Sequence, residues 1–242
     1  MKMRAAVIAT LTMSMLFAPH IIGAKRRAVR SVTPAPAPQS HTIVLTPSRD
    51  NTLYESDSGS VSNGAGVHLF AGNTQSRSKR RALVMFDVAA QIPAGSLITR
   101  AVLTLHVSTT ISGPQPVTLH RVTSEWGEGT SNAGFSRDGN GVPSQTNDAT
   151  WIHRFFPSQQ WITAGGDFDS TPLATAQVGS TTGVWESAAM ATNVQSWLDA
   201  PATNRGWLLR GNESTSGSAK RFDSRESGTV TSRPSLLIEY QH

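Results

Sequence analysis

Residues 100–108 read RAVLTLHVS, and this stretch decides the fold class. Successive side chains of a β-strand point to opposite faces, so Ala101, Leu103, Leu105 and Val107 share one face while Val102, Thr104 and His106 share the other. The same alternation closes the chain, where Leu236, Ile238 and Tyr240 alternate with Leu237 and Glu239. Shorter strand candidates are Thr42–Thr46, Val67–Ala71, Ala82–Asp87, Pro116–Val122, Thr150–His153, Gly183–Glu186, Gly206–Arg210 and Lys220–Ser224. Short strands separated by Gly, Pro, Asn and Ser turns predict an all-β fold, a two-sheet antiparallel β-sandwich of jelly-roll type. One segment departs from period two. In Ala188–Asp199, Met190, Val194, Trp197 and Leu198 fall on one helical face, and Ala200-Pro201 ends the run, which predicts one short helix.

Outward from these strands, the chain of 242 residues has room for one such unit, since all-β domains reach about 200–250 residues undivided. Residues 1–24, MKMRAAVIATLTMSMLFAPHIIGA, combine a basic start, an apolar stretch from Ala5 to Ala18 and a small-residue end, which is the pattern of a secretory signal peptide. The expected location is therefore extracellular, with no membrane span after cleavage. An uncleaved anchor is the alternative, because Lys25-Arg26-Arg27 directly follows the apolar run. Residues 25–40 form a basic and Pro-rich linker, and 41–242 the folded domain. The net charge of +5 belongs to the leader and its margin. Six of the 21 basic residues (Lys2, Arg4, Lys25, Arg26, Arg27, Arg30) precede residue 31, leaving 15 against 16 acids, about −1, for the remainder. That balance disfavours nucleic acid as a partner. With no cysteine, disulfides, Cys-ligated zinc, iron–sulfur clusters and thiol catalysis are excluded.

Familiar motifs are few. Gly165-Gly166-Asp167-Phe168 reads as a turn in which Asp167 caps its own backbone. Asp138-Gly139-Asn140-Gly141 starts like a calcium loop, but Val142 and Pro143 stand where a ligand and a glycine are needed, so it is no EF-hand. No H-E-x-x-H or G-x-S-x-G occurs. The acidic pairs Glu125/Glu128 and Asp167/Asp169 have the chemistry for glycoside hydrolysis, which depends on their spacing in the fold. Six tryptophans carry more information, because sugars present flat C–H faces to aromatic rings. Trp197 and Trp207 read as core, whereas Trp126 and Trp161, beside the long polar stretches 127–149 and 159–182, are candidate ligand anchors. Arg77, Lys79 and Arg80, with Arg81, form a basic cluster suited to uronates or another anionic polymer.

In order along the chain, further segments are similar to one known family. Asp50 and Tyr54 stand where that family has A-D-x-Y, and Asn63-Gly64-Ala65-Gly66 precedes Val67–Gly72 as its N-x-G turn precedes a strand. RALVMFDV (81–88), IPAGSLITRAVLTL (92–105) and VTLHRVTSEWGEGT (117–130) resemble its next three motifs. Val194–Arg210 is similar to its helix and following strand, FDSRE (222–226) to its F-x-S-R-E signature, and Arg233-Pro234 precedes a last strand. Together, over about residues 45–241, they resemble the DNRLRE domain, grouped with carbohydrate-binding module family 96. The chain departs from it at 131–149 and 159–182, where its loops are longer. The resemblance implies an extracellular β-sandwich module without catalytic activity, of a kind often attached to polysaccharide-degrading or surface proteins; part of the family binds acidic polysaccharide.

Asp50, Asp87, Arg225 and Glu226 lie beside apolar strands, where a charge is tolerated only when paired or metal-bound. Arg225 and Glu226 are expected in a buried network locking the C-terminal strands. A structural calcium is the alternative, with Asp50 and Asp167 as candidate ligands. The functional expectation is a secreted carbohydrate-binding module, with a polysaccharide, acidic ones included, as partner. The alternative is an adhesive module binding protein or the cell envelope. A sandwich-fold lyase is disfavoured because tyrosine occurs only at 54 and 240.

Overall fold

The computed structural model describes residues 14–15, 37–135 and 138–242, so the expected signal peptide and most of the linker lie outside the described residues. From Ser40 the chain forms strands β1 (Ser40–Leu45), β2 (Arg49–Tyr54), β3 (Val61–Ser62), β4 (His68–Asn73), β5 (Lys79–Met85), β6 (Leu97–Thr110), β7 (Gln115–Arg121) and β8 (Val142–Pro143). They continue as β9 (His153–Phe155), β10 (Gln159–Gln160), β11 (Ala174–Val178) and β12 (Thr182–Glu186). Helix α1 (Ala188–Asp199), β13 (Trp207–Arg210), β14 (Lys220–Asp223) and β15 (Ser235–Gln241) complete the fold.

The fold is all-β and antiparallel, as the alternation requires. The two expected sheets are joined into one of 11 strands that curls on itself, ordered β1-β15-β6-β14-β4-β5-β13-β7-β11, with β12 on β6 and β2 on β5. The joint lies in β6, whose 14 residues outrun any one partner: residues 97–104 pair β15 and 107–110 pair β14. A second joint is at β5, which meets β4 through Gly72↔Arg80 and Asn73↔Lys79. Among the described residues no helix is long and apolar enough to cross a membrane.

The side chains expected on one face of β6 are the ones that face the interior. Ala101, Leu103, Leu105 and Val107 are buried with Leu236, Ile238, Trp185, Trp207 and Phe222 in the main core. Helix α1 closes one end of it with Met190, Val194, Trp197 and Leu198. Ser187 caps the helix by accepting the Met190 N–H, and the buried Trp207 indole donates to Asn193 Oδ1 at 2.7 Å.

β2, β5 and β13 are covered on both faces. Ala82 and Val84 face the main core, while Leu83, with Leu53 and Leu208, faces a second core built by Trp126, Trp151, Trp161, Val122 and Ala149. The stretches 127–149 and 159–182 are therefore not free loops throughout. They hold β8, β10 and β11, and parts of them roof the outer face of this sheet.

Candidate functional site

β14 sets the site by its pleat. Phe222 points into the main core, so Arg221 and Asp223 point outward. Antiparallel pairing places Asp223 opposite His68 and Arg221 opposite Phe70 on β4. On the other side a bulge in the β14–β6 register leaves Val107 inward and presents His106 and Ser108 to the same outer face. Two open depressions of about 480 and 560 Å³ lie over these strands and share Arg221 as a common wall.

The segment between β7 and β8 arches over this face and contributes Phe135 and Asp138. The turn at Asp138–Asn140 is held from beneath: the Tyr54 hydroxyl donates to Asp138 O at 2.6 Å, and the Arg80 guanidinium donates to Gly139 O at 3.1 and 3.2 Å. Arg80 also lies 4.8 Å over the Tyr54 ring. Asp138 Oδ2 contacts His68 Nδ1 and stands 3.7 Å from Arg221 Nη1. Asp223 Oδ2 is 2.6 Å from His106 Nδ1, and its Oδ1 is 3.8 Å from His68 Nε2. Arg221 is fixed by Ser108 Oγ and Thr109 Oγ1, each accepting at 3.0 Å. Phe135, 73% exposed, sets its ring edge-on to His68 at 5.2 Å and beside Arg221 at 5.8 Å. A row of fixed donors and acceptors thus lies beneath one solvent-facing aromatic ring. Stacking on an aromatic face and charge-assisted hydrogen bonds are the chemistry such an arrangement offers.

The residues singled out from sequence are placed differently. Trp126 and Trp161 are buried, at 1% and 5% exposure, with their indole N–H groups donating to Arg205 O and Thr150 O. They are wall, not anchors. The basic cluster is dispersed: Lys79 pairs with Glu55 at 2.7 Å, Arg80 serves the 138–140 turn, Arg81 turns into the second core, and Arg77 sits exposed at the β4–β5 turn. Asp87 is exposed and caps Ala90 N–H at 3.3 Å, so it leaves the polar network. Asp167 accepts from Ile162 N, Thr163 N and Ser124 Oγ, and among the described residues it joins no cluster of potential metal ligands. Of the acidic pairs, Glu125 lies 3.2 Å from Arg205 and Asp169 3.7 Å from Arg121, while Glu128 bonds the Asp50 N–H and Asp167 the Thr163 N–H.

The remaining network residues do meet. Asp50 Oδ2 accepts the Arg225 N–H at 2.8 Å, and the Asp50 N–H donates to Glu128 Oε1 at 2.8 Å. Arg225 Nε lies 2.8 Å from Glu128 Oε1 and 2.7 Å from Glu226 Oε1. Glu128 joins this group because Gly64 lets the chain approach: a Cβ there would stand 1.8 Å from the Glu128 carbonyl oxygen. Burial, and next the Glu226 charge, push the Asp50 carboxyl well above the usual carboxylate range; burial also raises Glu128.

Sequence reasoning missed His68, Phe135 and Arg221, and read Asp138 only as part of a calcium-like loop. The available signal was the strand candidate Val67–Ala71 paired with Lys220–Ser224, whose register was not readable. No protein-family model matches this chain, and no curated protein matches it.

Proposed function

We propose that this chain is a secreted, non-catalytic carbohydrate-binding module whose ligand lies in the groove over β4, β14 and β6. The observation that carries the reading is Phe135, an exposed ring standing over Arg221, Asp138, Asp223, His68 and His106. A sugar ring stacks its C–H face on such an aromatic while its hydroxyls bond the charged groups below. The motif resemblance to DNRLRE domains supports the same class. So does the pattern of residues 1–24 for export. The ligand we favour is a neutral, hydroxyl-rich polysaccharide. Among the described groove residues the guanidinium of Arg221 faces the Asp138 carboxylate, a second carboxylate, Asp223, stands beside His68, and the cluster that pointed to acidic polymers is dispersed. Binding without turnover fits His68, whose two ring nitrogens both face aspartates at 3% exposure.

The test is affinity electrophoresis of the protein and of Phe135→Ala across neutral and anionic polysaccharides. Retardation on a neutral polymer that weakens about tenfold in Phe135→Ala is expected, with an unchanged melting temperature because the ring is outside both cores. Retardation by none of them, or equal retardation of both proteins, overturns the reading. Retention in the cell envelope without any glycan affinity points instead to an adhesive module.

A further inference from the structure

A second site lies in the polar network behind β2. We propose that Asp50, Glu128 and Glu226 bind one divalent cation of the oxygen-preferring kind, Ca²⁺, which ties β2 to the segment after β7 and the turn after β14. This goes beyond the carbohydrate reading and does not rest on it.

Geometry is the first argument. One carboxylate oxygen from each residue lies within 4.8 Å of those of the other two. Oxygens sharing one Ca²⁺ at about 2.3–2.6 Å stand no more than about 5 Å apart, so the three need little movement to share an ion. Satisfaction is the second. Asp50 is 1% exposed, and its Oδ1 has no hydrogen-bond partner among the described residues. A buried carboxylate oxygen left unpartnered is costly, and a cation removes that cost.

Arg225 does not complete the group by itself. Its Nε is within 3 Å of both glutamates, yet it too is buried without an aligned hydrogen bond. Three carboxylates against one guanidinium leave two negative charges, which one divalent ion balances. The donor set is all oxygen, with no imidazole or thiolate, which selects Ca²⁺ over zinc or copper. Glu128 and Glu226 retain 20% and 22% side-chain exposure, so waters complete the six to eight ligands that Ca²⁺ takes.

The experiment uses the full chain, stripped with chelator and titrated with CaCl₂ while heat of binding and melting temperature are followed. One ion per chain is expected, with a melting temperature that climbs with Ca²⁺ up to the millimolar range usual for extracellular sites. Glu226→Gln and Asp50→Asn keep the shape of the side chains and should weaken Ca²⁺ by at least about tenfold, with Mg²⁺ poorer throughout. No heat and no shift up to about 10 mM Ca²⁺ overturns the proposal. A Ca²⁺ response of unchanged strength in Glu226→Gln overturns it as well. The wild-type titration decides the matter even if one variant does not fold. Glycan retardation plays no part in either readout, so the two proposals fail separately.

Discussion

The sheet formed by β2, β5 and β13 has a core on each face, and the two are built from different materials. The inner one is a meeting of strands. Leu103, Leu105, Leu236 and Ile238 arrive by alternation, and the backbone beneath them is satisfied by ladder hydrogen bonds. The outer one is a meeting of largely irregular chain with a sheet, and its ladder is confined to the short β9–β10 pair and scattered loop bonds. Large side chains with a polar tip satisfy carbonyls that these bonds leave: Trp126 donates to Arg205 O, Trp161 to Thr150 O, Arg49 to Trp126 O and Arg81 to Gly165 O. Arg81 lies 4.7 Å over Trp151 and 5.3 Å over Phe168, a cation buried among rings. A strand core needs only apolar volume, whereas a loop core must also satisfy its carbonyls. The tryptophans beside long polar stretches are therefore structural, although their neighbours suggested ligand anchors.

The comparison breaks most visibly at Trp207. This ring is fully buried, tilted against Trp197 at 4.8 Å and Phe86 at 6.1 Å. Trp207→Ala should cost about 4 kcal/mol, and it also strands the Asn193 amide oxygen. Denaturant unfolding should show one transition moved to lower midpoint. The outer core is tested at Glu213, whose carboxylate meets Arg81 Nε at 2.7 Å and Nη2 at 3.1 Å, both side chains being largely buried. Burial pushes Glu213 up, but Arg81 and Arg210 outweigh it and hold the carboxyl below its usual range. Glu213→Ala leaves Arg81 charged and unpaired among the rings, at a cost of about 3 kcal/mol. If it instead costs less than about 1 kcal/mol, the outer core tolerates a lone cation as an exposed ion pair would, and the distinction between the two cores falls.

How far the sequence reaches follows from the same contrast. β6, β13, β15 and α1 are legible because their periodicity records which face is buried. β2 is not, since Arg49–Tyr54 is buried on both faces and includes Asp50, Asn51 and Thr52. β11 hides inside the stretch 159–182 because its apolar residues are alanines and one valine. Within the groove, His68 and Asp223 stand opposite each other across 155 residues of chain, a pairing set by register, which local sequence does not encode. Asp138 was readable only as half a calcium loop, since its partners Tyr54, His68 and Arg221 come from three separate strands. Glu128 paired by sequence with Glu125, while the fold pairs it with Asp50. Asp167 is the counterexample: its capping role is local, and it was legible.

The smallest effect is expected in the outer core on acidification, at His120. This residue lies opposite Leu208 in the β13–β7 register and so shares the outer face. Its ring packs edge-on against Phe168 at 5.0 Å, with Nδ1 donating to Asp169 O at 2.8 Å. Burial first, then the nearby Arg210 and Arg81 charges, lower its pKa despite the hydrogen bond to Asp169 O. A histidine with a lowered folded pKa contributes its full stability above the unfolded value of about 6.5. Below that pH the unfolded chain takes up a proton that the folded chain resists, so stability falls until the pH passes the folded pKa. Urea midpoints at about pH 7.5 and 5.5 should therefore draw closer together in His120→Gln than in the unaltered protein. An equal drop in both would mean that the ring titrates freely and that the outer core is open to water at this edge, unlike the inner core behind it.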